Sequence, residues 1–156
     1  MISCLEVVTS DEEAILLNLW QLYMADLSKF REPSITVNGR YRDDRLRTYF
    51  AYDEHWAYQI QHNGDLAGLA LIRKSEPETY LIGEFFILSE FRKRGVGTAA
   101  VTELLRKFHG NWQIPFQTEN SKAAKFWRHT ISSLGYSVSE LKDSNEVLMK
   151  FRNIDN

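Results

Sequence analysis

The chain has 156 residues, with 19 Lys and Arg against 21 Asp and Glu for a formal charge of −2, and it is 44% hydrophobic and 26% charged. That size and mixture point to one globular domain over residues 1–156, and exclude disordered, collagen-like and disulfide-stapled classes. Its single cysteine, Cys4, suits a reducing, cytoplasmic setting. The N-terminus lacks the basic region of a signal peptide, and no apolar run is long enough to span a bilayer.

In chain order, residues 2–9 read as a short strand. Ser10-Asp11-Glu12-Glu13 reads as a capping box, with Ser10 bonding the N3 amide and Glu13 reaching back. Leu16, Leu19, Trp20, Tyr23, Leu27 and Phe30 then recur at helical spacing, which predicts a helix to about Lys29. Arg40 to Arg47 holds four arginines and two aspartates, and a short helix is expected over 43–51. Trp56, Tyr58 and Ile60 alternate like a half-buried strand, Asn63-Gly64 supplies a tight hairpin turn, and residues 66–72 return. Residues 80–88 are almost wholly apolar, as in a central strand, and Gly83 within them marks a bulge or a close backbone approach. A glycine turn leads to a helix with the stripe Val101, Leu104, Leu105 and Phe108, then a strand over 112–117. A second strong helix follows Asn120, with Ala123, Phe126, Trp127, Thr130, Ile131 and Leu134 on one face and Gly135 at its end. Residues 136–140 and 147–151 form a last hairpin. The expected fold is therefore α/β: a mixed, mostly antiparallel sheet of six to seven strands with helices on both faces.

The stretch Phe85-Phe86-Ile87-Leu88-Ser89-Glu90-Phe91-Arg92-Lys93-Arg94-Gly95-Val96-Gly97-Thr98 is a buried strand, a basic turn with two glycines and a helix start. Amides at a helix N-terminus lack intrahelical partners and carry partial positive charge, so they attract phosphate. The glycines let the anion approach, and Arg92 and Arg94 add donors. A solvated surface turn is the alternative reading of the same residues. The turn is no P-loop, because it lacks the first glycine and the lysine. It is no dinucleotide fingerprint either, because Ala100 stands where the third glycine belongs.

Arg92-Lys93-Arg94-Gly95-Val96-Gly97 resembles the R/Q-x-x-G-x-G/A signature of the GNAT superfamily of N-acetyltransferases. Asn120-Ser121-Lys122-Ala123-Ala124-Lys125-Phe126-Trp127, followed by Leu134-Gly135-Tyr136, is similar to a second block of that family, in the same order. The resemblance implies a GNAT-like fold and acetyl-CoA as donor. It places the pantetheine along the backbone of Phe86, Ile87 and Leu88, and the pyrophosphate on the amides of Arg92, Lys93, Arg94, Gly95, Val96, Gly97 and Thr98. Asn120 and Trp127 would approach the cofactor from the second strong helix. An amide near Phe86 would polarise the thioester carbonyl.

One position departs from the family pattern. Where many members carry a tyrosine that protonates the CoA thiolate, this chain has Trp127, whose indole N–H is no such acid. Water, the ammonium product or Tyr136 are then the alternatives. Glu84, the one carboxylate inside the central strand, is the candidate base, with pairing to an arginine as the competing role. Tyr23 lies where the family builds its acceptor pocket, and also on its helix's apolar stripe. His55, His62, His109 and His129 show no ligand spacing, so no metal is expected.

The resemblance thus implies acetyl transfer to a primary amine of a small molecule or peptide by direct attack. A non-catalytic acyl-CoA-binding or regulatory module of the same fold is the alternative. The overall charge argues against a nucleic-acid partner, and a homodimer stays open. Residues 92–128 carry eight Lys and Arg against two Glu, or +6, while residues 1–91 carry eight against fifteen, or −7. The first figure suits an anionic cofactor, and the second suggests a cationic acceptor.

Overall fold

A computed structural model describes residues 4–31 and 34–154. Ile2 and Ser3 of the first expected strand lie outside the described residues. The strands are β1 Leu5–Val7, β2 His55–His62, β3 Asp65–Glu76, β4 Thr79–Ile87, β5 Asn111–Gln117, β6 Ser139–Lys142 and β7 Glu146–Arg152. The helices are α1 Ala14–Leu27, α2 Asp44–Ala51, α3 Val96–Lys107 and α4 Ser121–Ser133.

The strands form one seven-stranded sheet in the order β1-β2-β3-β4-β5-β7-β6. Every neighbouring pair is antiparallel except β4 with β5. Asn63 and Gly64, at φ 51° and 85°, close the β2–β3 hairpin as their sequence demands. Opposite β3, Leu71 pairs with Glu84 and Ile72 with Ile82, so Gly83 is the extra residue of a bulge. It is a close approach as well. A Cβ on Gly83 would lie 1.9 Å from the Tyr49 hydroxyl.

Two apolar layers cover the sheet. Leu16, Trp20, Tyr23, Leu46 and Tyr49 of α1 and α2 pack on Leu69, Leu71 and Phe86. On the other face, Val101, Leu104, Trp127 and Ile131 of α3 and α4 pack on Ala70, Ile72, Trp112, Ile114 and Met149. The alternation of side chains along β3 and β4 feeds both layers, which is why these strands read as almost continuously apolar.

Local details depart from the expectations. The capping box at Ser10 does not form: residues Ser10–Glu12 make a 3-10 turn, Thr9 Oγ1 bonds the Glu12 carboxylate at 3.2 Å, and Glu13 faces Arg47 at 3.7 Å. Glu13 is drawn to a cation on α2 instead of its own backbone, and the α-helix starts at Ala14 and ends at Leu27. The last hairpin begins at Ser139 instead of Tyr136, because Tyr136 still belongs to the turn that ends α4. There Gly135 sits at φ 92° and the Tyr136 amide donates to the Ile131 carbonyl.

Candidate active site

The parallel pairing of β4 with β5 covers only Thr79 to Leu81 against Asn111 to Gln113. Beyond it the strands part, and the C-terminal half of β4 has β3 on one edge alone. The Leu88 amide donates to Ala67 O at 2.8 Å, so in the antiparallel alternation Phe86 also turns its backbone to β3. Phe85 and Ile87 turn theirs to the opening. Consistent with this, the Ile87 carbonyl accepts from Arg92 Nε at 2.8 Å and not from a strand. Of the backbone expected to be free along Phe86, Ile87 and Leu88, Ile87 faces the opening while Phe86 and Leu88 face β3, and Phe85 completes the free edge.

The basic turn caps the same end of the opening. Lys93 and Gly95 both have left-handed backbones, at φ 63° and 78°. The amides of residues 93–98 find no acceptor among the described residues; the first paired one is Ala99, bonded to Gly95 O at 3.0 Å. Successive unpaired N–H groups leading into the N-terminus of α3 form an anion-attracting concavity. Gly95 supplies the conformation and has open space around it. Gly97 supplies closeness, since a Cβ there would lie 2.9 Å from the Phe126 ring.

The two arginines of this turn differ. Arg92 ties the end of β4 to α1 through Ile87 O and Asp26, at 2.8 and 3.1 Å, and stacks over Phe86. Arg94 lies over the Phe91 ring. The backbone amides and the exposed Arg94 guanidinium are thus the donors this turn has left. Across the opening, Asn120 Oδ1 caps α4 by accepting from the Ala123 amide at 3.1 Å. Trp127 is 5% exposed, and its ring meets Phe85 edge-on at 5.0 Å. It is a packed wall beside the strand edge. Tyr136 stacks on Phe151, near the end where β4 and β5 are still paired, and so lies away from the opening.

Glu84 projects to the opposite face from Phe85. It is 9% exposed, accepting from the Tyr23 hydroxyl at 2.9 Å and from Arg45 Nε and Nη2 at 3.2 and 3.4 Å. Tyr23 is buried against Trp20 and Phe86. Burial raises its phenol well above the ordinary range, and the Glu84 carboxylate raises it further. Tyr23 is therefore a neutral donor that orients Glu84. Arg45 also lies over the Trp20 ring at 5.2 Å. The sequence reading left open that Glu84 pairs with an arginine, but did not identify Arg45, 39 residues away on α2.

Elsewhere the basic face of α4 is partly accounted for by Arg128, which bonds both oxygens of Glu140 at 2.8 Å. Among the described residues no cluster of three or more His, Cys, Asp or Glu could hold a metal ion, and no helix is long and apolar enough to cross a membrane.

An open parallel strand pair, a loop of amides unpaired among the described residues and a buried carboxylate one residue from the free strand edge are thus brought together at one end of the sheet. The chain matches the model of the acetyltransferase (GNAT) family over residues 16–130. It belongs to the GNAT acetyltransferase family. Among curated proteins no sequence match is found. Similar solved structures include an acetyltransferase from Thermus thermophilus, with TM-score 0.70, 17% identity and 94% of each chain covered. The ribosomal-protein-S18-alanine N-acetyltransferase of Escherichia coli matches with TM-score 0.65 at 10% identity, over 97% of this chain and 94% of that one. A Bacillus anthracis acetyltransferase crystallised with acetyl coenzyme A matches with TM-score 0.60 at 12% identity, over 97% of both. At these identities the likeness is one of fold.

Proposed function

We propose that the protein transfers the acetyl group of acetyl-CoA to a primary amine by direct attack, without a covalent acetyl-enzyme. The observation that carries this reading is the combination of diverging β4 and β5 with unpaired amides over residues 93–98. Bound acetyl-CoA would supply an activated thioester carbonyl. Phe85 and Ile87 offer the backbone edge that would hold the pantetheine beside Phe86 and Leu88. The amides from Lys93 to Thr98 would hold the pyrophosphate, with Arg92 holding the loop in place. Trp127 and Asn120 would border the cofactor from α4.

Glu84 is the proposed base. Its oxygens keep lone pairs beyond those used by Tyr23 and Arg45, and one can take the proton that the amine loses, directly or through water. As nitrogen bonds to the carbonyl carbon, the carbon–sulfur bond breaks and its electron pair leaves on sulfur. An ordinary thiol pKa of about 8.5 makes that thiolate a tolerable leaving group, protonated by solvent, so Trp127 need not act. The Phe85 or Ile87 amide, aimed into the opening, would stabilise the carbonyl oxygen.

The test is CoA release from acetyl-CoA with a panel of amines. Amine-dependent release is expected, with Glu84→Gln reducing kcat about 100-fold or more at neutral pH. A Glu84→Gln enzyme with full kcat at every pH removes Glu84 from the mechanism. Tight acetyl-CoA binding without turnover of any amine selects the non-catalytic acyl-CoA-binding module.

A further inference from the structure

The charge totals suggest a cationic acceptor, but the groups beside Glu84 have the opposite sign. Tyr23, Leu27 and Arg31 follow one another at intervals of four, with the Arg31 amide still bonded to Leu27 O at 3.2 Å. Arg31 thus prolongs the Tyr23 face of α1. Its Nη2 is buried and has no hydrogen-bond partner among the described residues. The positive charges of Arg31 and Arg45 both act to lower the Tyr23 phenol, so both guanidiniums lie within electrostatic reach of it. Arg45 spends Nε and Nη2 on Glu84 and stays half exposed, with Nη1 bonded to nothing in the described residues.

Three other arginines of this region are matched by acids. Arg42 pairs with Asp44, Arg47 with Asp43 and Glu13, and Arg92 with Asp26. Arg31 has no acid paired with it among the described residues, and Arg45 has the single carboxylate of Glu84. A buried donor with no acceptor is costly, and a guest that supplies an acceptor and one negative charge removes both deficits. The planar fork of arginine matches a carboxylate in particular.

We propose that the acceptor is a small amine that also carries a carboxylate, as an amino acid does, and that Arg31 and Arg45 hold this group beside Glu84. The anchored acid fixes the amine next to the Phe85 edge, within reach of the proposed base. This rests on the acetyl-transfer reading above and narrows its substrate class.

The experiment measures kcat/KM at saturating acetyl-CoA for amino acids, their amides and the matching amines without the acid. Amino acids should be preferred by about 10- to 100-fold, the worth of hydrogen bonds to a charged group. Arg31→Gln should raise KM for the acids and bring the acid-to-amide ratio close to one, and the acids should no longer raise the Tm of this variant. Arg45→Gln also strips Glu84 of its counter-ion and endangers folding, so Arg31→Gln carries the test. Amides or plain amines used as well as the acids overturn the inference alone, as does an Arg31→Gln enzyme that keeps the full preference. If no amine of any kind is turned over, the acetyl-transfer reading falls and takes this inference with it.

Discussion

Gly83→Ala isolates how the bulge beside Glu84 is kept. The added Cβ would lie 1.9 Å from the Tyr49 hydroxyl oxygen and 3.1 Å from Cζ. Tyr49 is 4% exposed, so its ring has nowhere to swing. Overpacking of this kind costs about 1–3 kcal/mol, against roughly 0.5–1 kcal/mol regained by replacing a strand glycine. The net loss should be about 1–2 kcal/mol, or roughly 2–8 °C in Tm for a domain of this size. Among the described residues the hydroxyl makes no well-formed hydrogen bond, although the Arg73 guanidinium acts on it, so Tyr49→Phe should cost less than about 1 kcal/mol in stability. With the oxygen gone, the remaining contact needs a ring shift of a few tenths of an ångström. The double variant should therefore recover about 1 kcal/mol relative to Gly83→Ala, a coupling that urea denaturation resolves. Equal stability of Gly83→Ala and wild type would refute the reasoning, and so would a double variant no better than the single one.

Two further predictions concern the scaffold. Asn153 is buried, accepting from the Gly110 amide at 2.8 Å and donating to Leu105 O and Phe108 O at 2.8 and 3.0 Å. Asn153→Ala leaves these groups short of partners and should cost about 2–4 kcal/mol by chemical denaturation, with the m-value unchanged. Cys4 is pushed from an ordinary 9.0 up to about 12, first by burial and then by its hydrogen bond to Glu103. The folded thiol keeps its proton where the unfolded one loses it. This contribution to stability is complete below pH 9 and is lost as pH rises from there through about 12. Iodoacetamide labelling at pH 9 should be at least tenfold slower for the folded protein than for the urea-unfolded chain.

Much of the architecture was legible in the residues, because helical and alternating periodicities need no distant information. The Asn63-Gly64 turn, the helix after Asn120 and both roles of Gly83 follow from local rules, and the structure contains them. The basic glycine turn that leads into α3 was legible for the same reason. What resisted were contacts between segments remote in sequence. Ser10 and Glu13 satisfy a local capping rule, yet Arg47 on α2 competes for Glu13. The cluster of Arg40 to Arg47 gave no sign of which guanidinium meets Glu84, since its charges alternate and most pair locally. Arg31 carried no motif at all. Its interest comes from a buried nitrogen without an acceptor among the described residues, which only packing reveals. That Phe85, and not Phe86, joins Ile87 on the free edge was equally beyond the pattern, because it depends on which hydrogen-bonding edge of β4 faces β3.

The most direct test of the account is a crystal structure with acetyl-CoA bound. The account predicts the pantetheine in the opening between β4 and β5, bonded to the backbone of Phe85 and Ile87. It also predicts the pyrophosphate on the amides of residues 93–98, with Arg92 still on Asp26. Acetyl-CoA lodged elsewhere, for example in the cleft lined by Arg128, Tyr136 and Glu140, would contradict it.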